Sequence, residues 1–353
     1  MKAIFDVGHP AHVHLFKNTI LSLQKLDWEV KIVVRPKEIT LDLLKSYGLD
    51  FIKLNHYDST FKKAIGMFRI DFNYFKFASQ FLPDVIISAG SPYSAHISRM
   101  LKRPHITFID TPTPNGSLYY LVLHLLCIPF TKIICTPNLT PLRINPKKQI
   151  MYNGCHELAY LHPNYFKADA SVLKELGLTI NDKFVIMRFA SWNAIHDIGQ
   201  RGVLSIRDRI QLVKQLENNY KVILTSEIDI PELKKYEIHL APEKIHSLLA
   251  FATIYIGEGA TMASEAGVLG VPWIFLYRHS FPNLDEQEKK YGLGFVANNI
   301  NRALEISNKF INSNNLKAEW NTKKEKLLND KIDVTYFITR LIIEHNAASK
   351  YKY

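Results

Sequence analysis

Short apolar runs that end in small or polar loops alternate with helix-spaced segments, and the alternation occurs twice along the chain. The first series has apolar runs at residues 3–7, 29–34, 84–88, 105–109 and 132–135. Helical spacing lies between them at 14–26 (Leu15, Ile20, Leu23, Leu26), 40–47 and 94–101. Near residue 184 the pattern restarts, with apolar runs at 184–188, 221–224, 253–256 and 272–276 and helical segments at 204–216, 243–251 and 262–270. Continuous apolar runs separated by helices argue for parallel strands covered on both faces. The expected fold is α/β, with two doubly wound domains. With 353 residues the chain is long enough for both. Their expected spans are 1–160 and 161–310, joined through a stretch with Pro163 and a short helix at 171–176, and followed by a charged helical tail at 311–353.

Composition narrows the function classes. Apolar residues make up 47% of the chain, which excludes a disordered chain, a fibre or a polytopic membrane protein. The net charge of +11 favours anionic partners. Basic residues are spread along the sequence and no nucleic-acid module is present, so no nucleic acid is expected. Three cysteines, Cys127, Cys135 and Cys155, form neither a disulfide framework nor a metal-ligand spacing. A reduced, cytoplasmic setting fits them. The start of the chain, Met1-Lys2 followed by an apolar run broken by Asp6, does not read as a signal peptide.

In open parallel sheets, ligands sit outside the C-terminal strand ends, so the loops after the strands are the places to look for chemistry. Two facing α/β domains would put a cleft between two such sets of loops. The first loop, Gly8-His9-Pro10-Ala11-His12-Val13-His14, carries three histidines at a strand-to-helix junction. An imidazole accepts a proton near neutral pH, and a helix start favours anions. His12, His14 and Asp110, which ends the run at 105–109, are therefore the catalytic candidates, and His9, held extended before Pro10, is a phosphate neighbour. No carboxylate or cysteine lies near His12-x-His14 in sequence, and no metal is expected. Small residues at Ser88-Ala89-Gly90-Ser91 would let backbone approach a ligand.

In the second half, Arg188 leaves an apolar strand into a loop that also holds Asn193 and His196. All three are substrate-binding candidates, Arg188 for phosphate. The most specific stretch is Gly257-Glu258-Gly259-Ala260-Thr261-Met262, leading through Glu265 to Pro272. A strand delivers small residues and a helix begins near Thr261, so Gly259, Thr261 and Met262 offer an anion site for a diphosphate. Glu265, one turn later, is placed to bond ribose hydroxyls. The spacing is neither a dinucleotide fingerprint after the first strand nor a P-loop.

These segments, with residues 6–16 and the stretch Tyr152-Asn153-Gly154-Cys155-His156-Glu157, resemble an uncharacterised GT-B-like domain family. That family is related to UDP-GlcNAc 2-epimerase and to the N-acetylglucosaminyltransferase that completes lipid II. The resemblance implies two Rossmann-like domains facing a cleft, with C-terminal helices crossing back to the first domain. It also implies a nucleotide-sugar donor, a UDP-sugar, as substrate with no separate cofactor, and Arg278 as the basic residue after the strand at 272–276. The expected activity is metal-independent glycosyl transfer to a glycan or lipid-linked acceptor in polysaccharide biosynthesis. The alternatives are a UDP-sugar 2-epimerase or hydrolase and a non-catalytic nucleotide- or glycan-binding protein. The epimerase pattern calls for a run of acids in the first domain, where only Asp110 and Glu157 can be placed.

Two segments bear on membranes. Residues 61–77 mix basic and aromatic side chains in a helix-compatible run, the composition of an interfacial helix. Residues 118–130 are apolar but too short to span a bilayer. Peripheral contact with the inner face of the plasma membrane is the corresponding expectation.

Overall fold

The computed structural model describes all residues except 38, 55–59, 112–117, 191–202, 279–280, 314 and 351–353, and gives backbone alone at 60–65 and 346–350. The chain divides into two compact units. The first comprises Met1–Tyr160 and Ile332–Tyr353, the second Leu161–Lys331.

The first unit holds strands β1 (Lys2–Val7), β2 (Glu29–Val34), β3 (Phe51–Lys53), β4 (Val85–Ser88), β5 (His105–Phe108), β6 (Ile133–Pro137) and β7 (Gln149–Tyr152). Its helices are α1 (Pro10–Gln24), α2 (Thr40–Ser46), α3 (Thr60–Phe81), α4 (Pro92–Leu101), α5 (Leu118–Val122) and α6 (Leu158–Leu161). All seven strands pair in parallel in the order β3-β2-β1-β4-β5-β6-β7. The connections through α1 and α2 step one way across the sheet and those through α3, α4 and α5 step the other. With right-handed crossovers, the two sets of helices lie on opposite faces. Ile4, Val33 and Ile86 meet Tyr74, Ala78 and Ile97 in one of the cores.

The second unit holds α7 (Ser171–Glu175), β8 (Phe184–Phe189), α8 (Ile206–Leu216), β9 (Lys221–Ser226), α9 (Ile245–Phe251), β10 (Ile254–Gly257), α10 (Ala260–Leu269) and β11 (Trp273–Leu276). It continues through α11 (Pro282–Glu286), β12 (Gly294–Ala297), α12 (Ile300–Ile311) and α13 (Leu316–Asp330). Its five-stranded parallel sheet has the order β12-β11-β10-β8-β9. Trp273, Tyr255 and Phe275 form its core with Leu248 and Ala263.

The tail is not one element: α13 packs on α10 in the second unit, whereas α14 (Val334–Lys350) packs on α1 in the first. Its return is fixed by hydrogen bonds. Ala159 O accepts from Asn18 Nδ2 of α1 at 2.8 Å and from Thr335 Oγ1 of α14 at 2.6 Å. A Cβ at Gly154 would lie 2.7 Å from Val334 Cγ2, so glycine lets the returning chain close on this turn. The first helix starts earlier than the apolar spacing places it, because His9 caps it and Pro10 fits its first turn. Residues 118–130 are not one helix: α5 widens into a π-type turn over Leu123–Cys127 and ends in a short tight turn at Ile128–Phe130. Among the described residues no helix is long and apolar enough to cross a membrane.

His105, on a central strand, is fully buried between Ser88 Oγ (2.8 Å to Nε2) and Thr131 Oγ1 (2.9 Å to Nδ1). Burial lowers its imidazole from 6.5 to about 3. Below 6.5 the unfolded chain takes up a proton that the folded site refuses, so stability falls as pH drops through this window. At about pH 5 the site costs about 2 kcal/mol relative to neutral pH. Urea unfolding at neutral and mildly acidic pH should show His105→Gln losing less stability on acidification than the parent chain, by about that amount.

Candidate functional site

Each sheet reverses its winding at one place, and the crevice at that switch point is where open α/β sheets take ligands. In the first unit it lies between β1 and β4. Asp6, near the end of β1, is fully buried. Its carboxylate accepts from Arg35 Nη1 at 2.7 Å, from Ser91 Oγ at 2.5 Å and from Ser94 Oγ at 2.6 Å. The loop after β1 passes directly over this pair: a Cβ at Gly8 would fall 2.4 Å from Arg35 Nη2.

The three histidines of this loop separate. His9 accepts from Ala11 N at 3.2 Å through Nδ1 and caps α1. His12 Nδ1 accepts from Gly8 N at 3.3 Å, and its ring stands 5.9 Å from that of His9. Burial, aided by His9, Arg35 and His156, lowers His12 to about 3, so its ring is neutral. His14 instead packs inward against Tyr160 (5.1 Å between rings), with Nδ1 3.3 Å from the Tyr47 hydroxyl. Position on α1 decides this, since the helix is buried on nearly every side from Val13 to Phe16.

Asp110, beyond the end of β5, pairs with a residue that the sequence reading left unassigned. His156 Nδ1 lies 2.9 Å from Asp110 Oδ2. Burial disfavours a charged imidazole here, but the Asp110 carboxylate outweighs it, with help from Glu157, and raises His156 above its usual value. Burial likewise works against the Asp110 charge, yet His156 brings that carboxyl down to about 2. His156 Nε2 is buried and has no hydrogen-bond partner among the described residues. The ring is thus held at one nitrogen by a carboxylate and unpaired at the other among the described residues, the pairing that a general base and its orienting acid require. His12 is within electrostatic reach of both groups.

In the second unit the switch point lies between β8 and β10. Arg188, on β8, sends its guanidinium to Glu227 Oε1 at 2.5 Å and remains about one-third exposed. Its side chain runs beside the start of α10: a Cβ at Gly259, the N-cap, would lie 3.4 Å from Arg188 Cδ and 3.6 Å from Nε. Gly259 gives that helix no side-chain cap, and its first turn contains no acid. An arginine therefore lies alongside uncapped backbone N–H groups. Thr261 is exposed there, whereas the Met262 side chain is buried in the core and offers only its backbone.

Glu265, one turn on, is buried and bonded to His246 Nε2 at 2.9 Å. Glu258 is held differently. It accepts from Arg209 Nε at 3.1 Å and Nη2 at 2.8 Å, and from Ala190 N at 3.0 Å, tying the loops after β8 and β10 to α8. Arg278 is exposed beyond β11. Asn193 and His196 lie outside the described residues. Among the described residues no group of three or more His, Cys, Asp or Glu is arranged to hold a metal ion.

A model of a family described as protein of unknown function (DUF354) matches residues 1–342. The chain belongs to the DUF354 family. A relative in Methanocaldococcus jannaschii, itself uncharacterized, is 23% identical over 292 residues, covering 80% of this chain and 83% of its own.

Solved structures extend the comparison of the DUF354 chain. It is similar to a UDP-N-acetylglucosamine 2-epimerase with a TM-score of 0.71 and 12% identity, over 99% of this chain and 96% of that one. UDP-GlcNAc 2-epimerase from Neisseria meningitidis bound to UDP-GlcNAc gives 0.64 and 16%, over 98% and 100%. The spinosyn rhamnosyltransferase SpnG gives 0.63 and 12%, over 96% and 99%. The fold is that of GT-B enzymes, two Rossmann-like units in one chain.

The Glu258–Arg209 pair generates a test of how the second unit's loops are held. Arg209→Leu strands a buried carboxylate and should cost about 3–5 kcal/mol in stability. Urea unfolding monitored by tryptophan fluorescence checks this.

Proposed function

We propose that this DUF354 protein is a metal-independent glycosyltransferase that uses a nucleotide-sugar donor, a UDP-sugar. The observation that carries the reading is the Arg188 side chain lying along the uncapped start of α10, within one compact unit. A diphosphate fits this pair of features: the guanidinium bonds its oxygens bidentately and the helix start supplies backbone donors. Glu265 would take the ribose hydroxyls, with His246 orienting its carboxylate, and Arg278 would add charge beside the donor.

The first unit supplies the base. In this reading His156 Nε2 accepts the proton of an acceptor hydroxyl while that oxygen bonds the anomeric carbon. The bond from that carbon to the diphosphate breaks, and the diphosphate leaves with the electron pair. Asp110 holds the imidazole and stabilises its cation. His12, whose ring is neutral, and His9, at the α1 cap, orient the acceptor. His14 is proposed as a packing residue, because its ring is engaged by Tyr47 and Tyr160.

Calorimetric titration with UDP and UDP-sugars tests the donor half. Arg188→Ala and Glu265→Gln should each lose about 1.5–3 kcal/mol of binding, one charged hydrogen bond apiece. Unchanged affinity in both removes the donor site from this place. UDP release measured with and without acceptor glycans tests the chemistry: 2-epimerised sugar formed without acceptor replaces transfer by epimerisation.

The base makes a pH prediction. His156 works unprotonated and its value is raised, so activity should climb with pH through a limb above 6.5. His156→Ala should lower turnover about 10²–10⁴-fold. Asp110→Asn removes the charge that raises His156, so it should slow turnover and move the limb to lower pH.

A further inference from the structure

The helical layer formed by α3, α4 and α5 leaves an apolar surface uncovered. On α3, Ile70, Tyr74 and Ala78 face the sheet and are buried. Phe68 and Phe72, one turn apart on the opposite side, are 78% and 67% exposed. Helix α4 packs against α3 on one side and against the π-type turn after α5 on the other. On that neighbouring segment Leu118, Leu121 and Leu125 are 51%, 45% and 64% exposed. A soluble surface carries single exposed apolar residues routinely, but two phenylalanines one turn apart on α3, with three leucines exposed on the segment beyond α4, are more than that.

Basic residues predominate around the two phenylalanines. Arg69 and Lys76 flank the two phenylalanines on α3, and Arg99 and Lys132 lie at the ends of the neighbouring segments, all exposed. Among the described side chains of α3, α4 and α5 the sole acid is Asp71, and it is taken up by His96 Nδ1 at 2.9 Å. Protruding aromatics ringed by cations suit an anionic bilayer, where rings enter the headgroup boundary and lysine or arginine meets phosphate. A second copy of the same face would set cation against cation, and protein interfaces tend to exclude lysine.

We infer that the α3–α5 face is a docking surface for anionic membranes, with Phe68 and Phe72 as the inserting residues and Arg69 and Lys76 as the phosphate contacts. This assignment stands independently of the chemistry proposed above.

Cosedimentation of the full chain with phosphatidylcholine vesicles, with and without phosphatidylglycerol, tests it. The chain should sediment with the anionic vesicles, less so as salt rises. The double substitution Phe68→Ser/Phe72→Ser should lower the partition coefficient about tenfold or more, because it removes both inserting rings. The pair Arg69→Glu/Lys76→Glu should lower it by a similar factor of about ten or more. These side chains are exposed, so thermal melting of each variant should match the parent and confirm folding. No sedimentation with anionic vesicles, or variants that partition like the parent, overturns the inference. So does a parent chain that elutes as a dimer while Phe68→Ser/Phe72→Ser elutes as a monomer, which makes the face a protein interface.

Discussion

A carboxylate buried at the switch point of each sheet is the constraint on which the candidate site depends. Asp6 is fully desolvated at the end of β1, and Glu258 nearly so just past β10. Stripping water from a carboxylate costs several kcal/mol, and only close cations and hydrogen bonds return it. For Asp6 the partners come from the residue just after β2 and from the start of α4; for Glu258 they come from α8 and from the loop after β8. Each acid is satisfied only when strands and loops distant in sequence have reached their places.

The same pairs set the electrostatics of what lies above them. Arg35 neutralises Asp6 and so brings a guanidinium beneath Gly8, where it helps keep His12 unprotonated. His156 meets the Asp110 carboxylate instead and is raised. His12 and His156, within electrostatic reach of each other, thus hold opposite charge preferences. In the second unit Glu258 is consumed by Arg209, which leaves Arg188 as the arginine beside the first turn of α10.

Much of the architecture was legible because strands buried on both faces must be apolar throughout. The runs ending at Val7, Val34 and Leu276 needed nothing more. Strands β3, β7 and β12 were not, because edge positions relax that demand: β3 ends in an exposed lysine, and β7 carries Gln149 and an exposed Met151. Losing β7 hid the turn that follows it, and with it His156. The acidic partner, Asp110, was visible as a strand-end residue, but nothing local links it to a histidine 46 positions on. The one available signal was the polar cluster Asn153-Gly154-Cys155-His156-Glu157. His14 shows the same limit: three histidines crowd one loop, and only the packing around α1 decides which of them meets Tyr47 and Tyr160.

By itself the sequence determined two parallel α/β units, their strand-end loops, and the small-residue start of α10, since hydrophobic period and glycine placement act over a few residues and can be read there. The tertiary structure alone decided that the tail splits, with α13 on the second unit and α14 on the first, that Glu258 is bound by Arg209, and that Asp110 meets His156. Those outcomes turn on which buried charge finds which partner. Pairing of that kind is settled by distance in space, and for residues dozens of positions apart that distance exists only once the sheets have formed.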